Sequence, residues 1–239
     1  MSKKIVAKNI TDDPGIKKSR VSIYRSNGII EAWHVRQPTS RCAVLLPPHP
    51  MYGGTIANSI LKIINDAFVE CGFNTLRINF RGVGLSQGDL KTRQFDLQDT
   101  LEALDWIVAD NVDPTALWVG GFGYGGYVAI HASMRKPGLS GFLAVSPQVN
   151  HPLDFNSLTP CPGGLIVTGG KDNLASTVSI YESVSSLSKK KGTNILIKEI
   201  EEADHMYKGC TQQLHKVMLD YMLQQFATAE PLKGNREFG

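Results

Sequence analysis

Residues 116–129 read ALWVGGFGYGGYVA, and five of the seven positions from Gly120 to Gly126 are glycine. An apolar run of strand type passes here into a helical segment with no linker between them. Only a sharp backbone turn makes that passage, and glycine is the residue that permits it. Two readings of the turn compete. Gly121, Gly123 and Gly126 spell G-x-G-x-x-G, the fingerprint of a dinucleotide-binding loop. Gly121-Phe122-Gly123-Tyr124-Gly125 spells G-x-S-x-G with a glycine in the serine's place, a nucleophile elbow without its nucleophile. Both readings put the turn at the carboxyl end of a strand in a parallel sheet, where such folds carry their ligand crevice.

The rest of the chain agrees with that architecture. RVSIYR and GIIEAWHV alternate with period two around Ser26-Asn27-Gly28 and predict a hairpin. CAVLLP, NTLRINF, ALWVGG, GFLAVS, GLIVTG and NILIKEI follow as compact apolar runs. Helical spacing separates them. It links Ile56, Ile60, Ile63, Ile64, Ala67, Phe68 and Cys71, then Leu97, Leu101, Leu104 and Val108. Further helices are predicted over Tyr124–Met134, over Thr177–Lys191, and through Leu214, Val217, Met218, Tyr221 and Gln225. A hairpin followed by βα units predicts an α/β fold of about eight strands, mainly parallel, with helices on both faces. The expected divisions are an N-terminal arm over residues 1–18, one domain over 19–228, and a flexible tail over 229–239.

Composition excludes several classes of partner. A net charge of +3 on 239 residues is too small and too dispersed for nucleic acid or an anionic membrane. The one basic run, Lys189-Lys190-Lys191, closes a predicted helix, where cations favour the negative end of the dipole. No apolar run approaches the ~20 residues of a membrane span or serves as a signal peptide. Cys42, Cys71, Cys161 and Cys210 form no C-x-x-C pair, so free thiols and a cytoplasmic setting are expected.

The two registers make different demands. A dinucleotide fingerprint needs an acidic residue about 20 positions on, to hold the ribose hydroxyls. No Asp or Glu occurs from Lys136 to His151, and two βα units precede the motif. Nucleotide binding is therefore a remote alternative. An elbow needs small residues two positions either side of its strained centre, and Gly121 and Gly125 supply them around Gly123. Centring on Tyr124 would put Phe122 at a small-residue position. An acid and then a histidine should follow on later strand ends. Asp172 follows GLIVTG, and His205 follows NILIKEI. An oxyanion hole would take the N–H of Tyr124 and a second N–H from the PPHPMYGGT loop. Pro50 has no N–H, so Met51 or Tyr52 is the expected donor, with His49 either lining the site or bonded within its loop.

Taken together, HPMYGGT, LRINFRGVGLSQG, GGFGYGGYVA, GGKDN and ADHMYKG resemble the small bacterial α/β-hydrolases related to dienelactone hydrolases, from about Arg41 to Phe226. The resemblance implies an elbow of the form G-F-S-x-G, with Asp172 as acid, His205 as base and Gly123 where the serine would fall. It also implies the NFRGVGLSQG loop, in which Arg81 either anchors the loop, the favoured role, or binds an anionic group, and Ser86, lacking a base, is not expected to be a nucleophile. The short connection between GFLAVS and GLIVTG leaves no room for a lid, so an open site for a small ligand or substrate is expected, without metal or cofactor. Three readings stay open: a weakly active or non-catalytic ligand-binding member, a hydrolase using water activated by His205, and an ordinary serine hydrolase whose nucleophile is replaced in this copy.

Overall fold

The computed structural model describes residues 15–25, 28–90, 95–111, 113–149, 161–191 and 194–227. Most of the expected N-terminal arm and all of the expected C-terminal tail lie outside these residues. So do Ser26 and Asn27 of the hairpin turn, and residues 150–160 between the sixth and seventh strands.

Eight strands form one sheet: β1 (Lys17–Arg25), β2 (Gly28–Arg36), β3 (Arg41–Leu46), β4 (Phe73–Ile78), β5 (Ala116–Phe122), β6 (Gly141–Val145), β7 (Gly164–Gly169) and β8 (Ile195–Ile200). Their order is β1-β2-β4-β3-β5-β6-β7-β8. The hairpin pairs Arg25 with Gly28, and β2 runs antiparallel to β4. All later pairings are parallel. This is the mainly parallel, eight-stranded α/β architecture expected from the alternation of periods.

Side chains alternate between the two faces of the sheet, as a period of two requires. Val44, Leu46, Leu117 and Val119 join one core, packed under α2 (Asp96–Asp110), α3 (Tyr124–Ser133) and α4 (Thr177–Lys191). Ala43, Leu45, Trp118 and Phe122 join the other, packed under α1 (Ser59–Glu70) and α5 (Thr211–Ala227). Every residue of β5 is buried, which makes it the central strand on which the elbow is mounted. All four cysteines are free.

Helix α1 starts later than the spacing predicts. Asn58 caps it, its Oδ1 accepting from the Ile60 and Leu61 amides at 2.9 and 3.1 Å. Ile56 therefore lies in the turn before the helix, where its N–H donates to Asn79 Oδ1 at 2.9 Å.

The loop after β4 is anchored by ionic contacts. Arg81 donates through Nε and Nη2 to the two carboxylate oxygens of Asp99, at 2.7 and 2.6 Å. Arg25 Nη1 lies 3.2 Å from Asp99 Oδ1, so one buried carboxylate ties β1, this loop and α2 together. Ser86 is held in the same loop, accepting from the Glu31 amide and donating to the Asn79 carbonyl. Asp99→Ala removes the counter-ion of two guanidinium groups whose side chains are at most 7% exposed. A loss of about 3–5 kcal/mol is expected in urea unfolding. A loss below about 1 kcal/mol would show that water reaches these groups.

Candidate active site

The elbow is built by close approach of backbone to backbone. A Cβ on Gly121 would lie 2.4 Å from the Gly125 carbonyl carbon, and a Cβ on Gly125 would lie 2.3 Å from the Leu46 carbonyl oxygen. Neither neighbour is a flexible side chain, so both positions demand glycine. Gly123 differs. Its backbone sits at φ 57° and ψ −119°, a strained conformation for any other residue. A Cβ there would meet only Pro48 Cβ at 3.7 Å and His205 Nε2 at 3.8 Å. Those are ordinary contacts, and the Cβ direction leads to the imidazole.

His205 and Asp172 meet across two strand ends. His205 Nδ1 lies 2.8 Å from Asp172 Oδ2. Two glycines make the approach possible, the last residue of β7 and the one that follows it. A Cβ on Gly169 would come within 2.4 Å of the Ala203 carbonyl oxygen, and one on Gly170 equally close to that of Glu201. The Lys171 N–H donates to the Ala203 carbonyl at 2.9 Å, which stitches the two loops together. Asp204, beside the histidine, has another task. Its Oδ1 accepts from the Lys208 amide at 2.9 Å and closes the turn that presents His205.

Asp172 Oδ1 accepts from the Leu174 and Ala175 amides, both at 2.9 Å. Burial alone would push this carboxyl up, and it is the largest influence. Hydrogen bonds from His205, Ser146 and the Ala175 amide outweigh it and hold the pKa below the ordinary value.

Ser146 and Tyr207 belong to this site, and no sequence pattern marked either. Both are fully buried, and their hydroxyl oxygens lie 3.0 Å apart.

The loop after β3 behaves differently from expectation. The Met51 N–H donates to His49 Nδ1 at 3.1 Å, and the Tyr52 N–H donates to the His49 carbonyl at 3.0 Å. Both expected oxyanion donors are thus engaged within the turn Pro50–Tyr52, while their side chains are exposed. With Nδ1 accepting, a neutral His49 carries its proton on Nε2. Its ring stands edge-on to Tyr124, with centroids 4.8 Å apart. Tyr124 opens α3, so its N–H lies at the N-terminus of that helix, directly after Gly123. Its side chain turns inward and donates through its hydroxyl to Asp96 Oδ2 at 2.9 Å.

The sequence profile of the X-Pro dipeptidyl-peptidase (S15) family matches residues 20–228. The chain belongs to that family. A Rickettsia prowazekii protein of uncharacterised role is 36% identical over 190 residues, covering 78% of this chain and 80% of its own length. A solved structure from Agrobacterium tumefaciens, described as an alpha/beta hydrolase of unknown function, superposes with a TM-score of 0.81. It is 32% identical, covering 89% of this chain and all of that one. A Xanthomonas campestris alpha/beta serine hydrolase without a lid gives a TM-score of 0.77 at 19% identity, covering 90% of this chain and 97% of its own. Family and fold agree with the lidless, dienelactone-hydrolase-like relationship that the motifs imply. No cluster of three metal-ligating side chains and no helix long and apolar enough to cross a membrane occurs among the described residues.

Two outcomes follow from this geometry. Alanine is worth about 1 kcal/mol over glycine in a helix interior. Gly125→Ala is nevertheless expected to lower stability by about 1–3 kcal/mol in thermal or urea unfolding, because its methyl meets backbone. A neutral or stabilising effect would mean that the elbow is looser than described. The second outcome concerns pH. A depressed folded-state pKa stabilises the protein above the ordinary carboxylate value, and that contribution disappears as pH falls through the folded pKa. Asp172→Asn is therefore expected to be less stable at neutral pH and to lose less than the parent on acidification to about pH 3. Identical acid slopes would contradict it.

Proposed function

We propose that this chain is a hydrolase-fold protein disarmed at its nucleophile, which binds a small acyl ligand without forming an acyl-enzyme. The observation that carries the reading is the environment of Gly123. Its φ of 57° fits the strained elbow, and its empty Cβ direction leads to His205 Nε2. Asp172 and His205 are the acid and base of the proposed triad, and Gly123 occupies the nucleophile position. Tyr124 offers the first oxyanion N–H. The loop bearing His49, Met51 and Tyr52 forms the facing wall.

Glycine has no group to attack a carbonyl. Losing the serine of a triad costs about 10⁶ in turnover, because its members act as a unit. An open, lidless site suits a small or exposed ligand better than a long lipid, which needs an apolar tunnel. Four free thiols fit a cytoplasmic setting.

A second reading has its own support. The acid–base pair is intact at 2.8 Å, and the side-chain space at Gly123 opens beside His205. A water there would give a proton to His205 Nε2 while its oxygen attacks the carbonyl carbon. The same proton would then pass to the departing alkoxide. Under this reading the glycine-bearing protein is itself a slow hydrolase.

Small activated esters distinguish the two. Gly123→Ser is expected to raise hydrolysis by roughly 10³-fold or more over an inert parent. Adding His205→Ala should remove the gain. Activity in the parent that His205→Ala abolishes would establish the water mechanism instead. If neither form hydrolyses or binds acyl compounds, the proposal fails.

A further inference from the structure

The register of the first strands sets three side chains in one row. Arg20 of β1 pairs with Trp33 of β2, and Trp33 pairs with Arg77 of β4. Paired residues point to the same face of a sheet, so a cation, an indole and a second cation stand side by side. They line an open cleft of about 480 Å³, together with Glu31, Ile56 and Leu85. None of Gly123, Asp172 and His205 lines it.

The charges of this cleft do not balance. Glu31 is buried and fully engaged. Its Oε2 accepts from Asn79 Nδ2 at 2.9 Å and from the Leu85 amide at 2.8 Å, and its Oε1 lies 3.1 Å from Arg20 Nε. Gly84 lets the loop close on this carboxylate, since a Cβ there would collide with Oε2. Glu31 thus neutralises Arg20, and Arg77 has no ion pair among the described residues. Arg77 Nη1 donates to the Ile56 carbonyl at 3.0 Å, and its Nε is buried with no acceptor. Burial lowers its pKa from the ordinary value, and Asp66 on α1 offsets that only in part. One guanidinium is therefore fixed in the cleft with its charge unmatched. Beside it the Trp33 indole is 40% exposed, with Arg77 Cζ 5.8 Å from its ring centroid, and Leu85 is exposed as well. A planar fork of donors next to flat apolar surface matches a carboxylate carried on a ring.

We propose that this cleft is a second binding site, for a small planar organic monocarboxylate whose charge is met by Arg77 and Arg20 and whose ring lies against Trp33. The ligand carries one negative charge because the cleft holds two guanidinium groups and one carboxylate. A second negative charge would face Glu31. The size of the cleft falls within the range of about 300–1,000 Å³ that small-molecule sites occupy. The site stands apart from the acid–base pair and does not rest on the reading of the elbow.

Benzoate is the probe. The reporter is the indole N–H of Trp33, followed by nuclear magnetic resonance and assigned with Trp33→Phe. Benzoate should shift this resonance saturably. Benzamide, which keeps the ring and loses the charge, should bind at least about tenfold more weakly. Inorganic phosphate, which has charge and no ring, should also bind more weakly than benzoate. Arg77→Gln should lower benzoate affinity by about tenfold or more. Arg20→Gln, at a side chain 57% exposed, keeps the fold and brings the charge of the cleft to zero. A loss of about threefold or more is expected there. Thermal melting shows whether each variant is folded. His205→Ala should bind benzoate as the parent does. The proposal is overturned by the absence of a saturable shift, or by benzamide or phosphate binding as well as benzoate. Unchanged affinity in a folded Arg77→Gln overturns it too, as does unchanged affinity in Arg20→Gln if the first variant does not fold. Loss of the shift in His205→Ala would put the ligand at the elbow instead.

Discussion

The site depends on one steric constraint: the elbow after β5 lies against the end of β3 with no side chain between them. Gly125 approaches the carbonyls of Leu46 and Pro47, and Gly121 approaches Gly125 across the turn. Because β3 and β5 are hydrogen-bonded neighbours, this contact also fixes where the loop bearing His49 begins. The elbow can then hold residue 123 in a conformation that L-residues avoid. Burial of the whole of β5 secures the base of the turn.

Against that frame the polar groups are arranged in depth. His205 packs against Phe122, with ring centroids 4.9 Å apart, so the strand that carries the elbow also seats the imidazole. Asp172 lies behind it, held by two amides and flanked by Ser146. Tyr124, on the other side, is fastened through its hydroxyl to Asp96 at the start of α2. Asp96 and Asp99 together make that helix a support for both the elbow and the loop after β4. Such a frame is costly to keep for packing alone, since it gathers buried carboxylates and strained residues into one corner.

The parts of this site that were legible in the sequence obey local rules. The steric demand of a strand-to-helix turn named Gly121 and Gly125, and the order of strand ends named Asp172 and His205. Arg81 was read as a loop anchor, but its partner was not, because Asp99 lies on a later helix at no characteristic spacing. The amides of Met51 and Tyr52 were expected to face a ligand. Their engagement by His49 depends on a one-turn helix that starts at Pro50, which spacing does not reveal. The start of α1 was placed too early because Ile56 fits the apolar period, while the Asn58 cap decides the boundary. Ser146 and Tyr207 were invisible for a deeper reason. A left-handed non-glycine residue has no compositional mark, and the two hydroxyls meet only once β6 and β8 are assembled on either side of β7.

Covalent labelling tests the central claim most directly. A fluorophosphonate transfers its phosphorus to a hydroxyl only where a base removes the proton and oxyanion donors receive the charge. Treated with this probe, Gly123→Ser is expected to carry a single adduct at position 123, located by peptide mass spectrometry. The same variant with His205→Ala should carry none, and neither should the parent. A folded Gly123→Ser that stays unlabelled, or a parent that is labelled at Ser86 or Ser146, would contradict the assignment of Gly123 as the vacant nucleophile position.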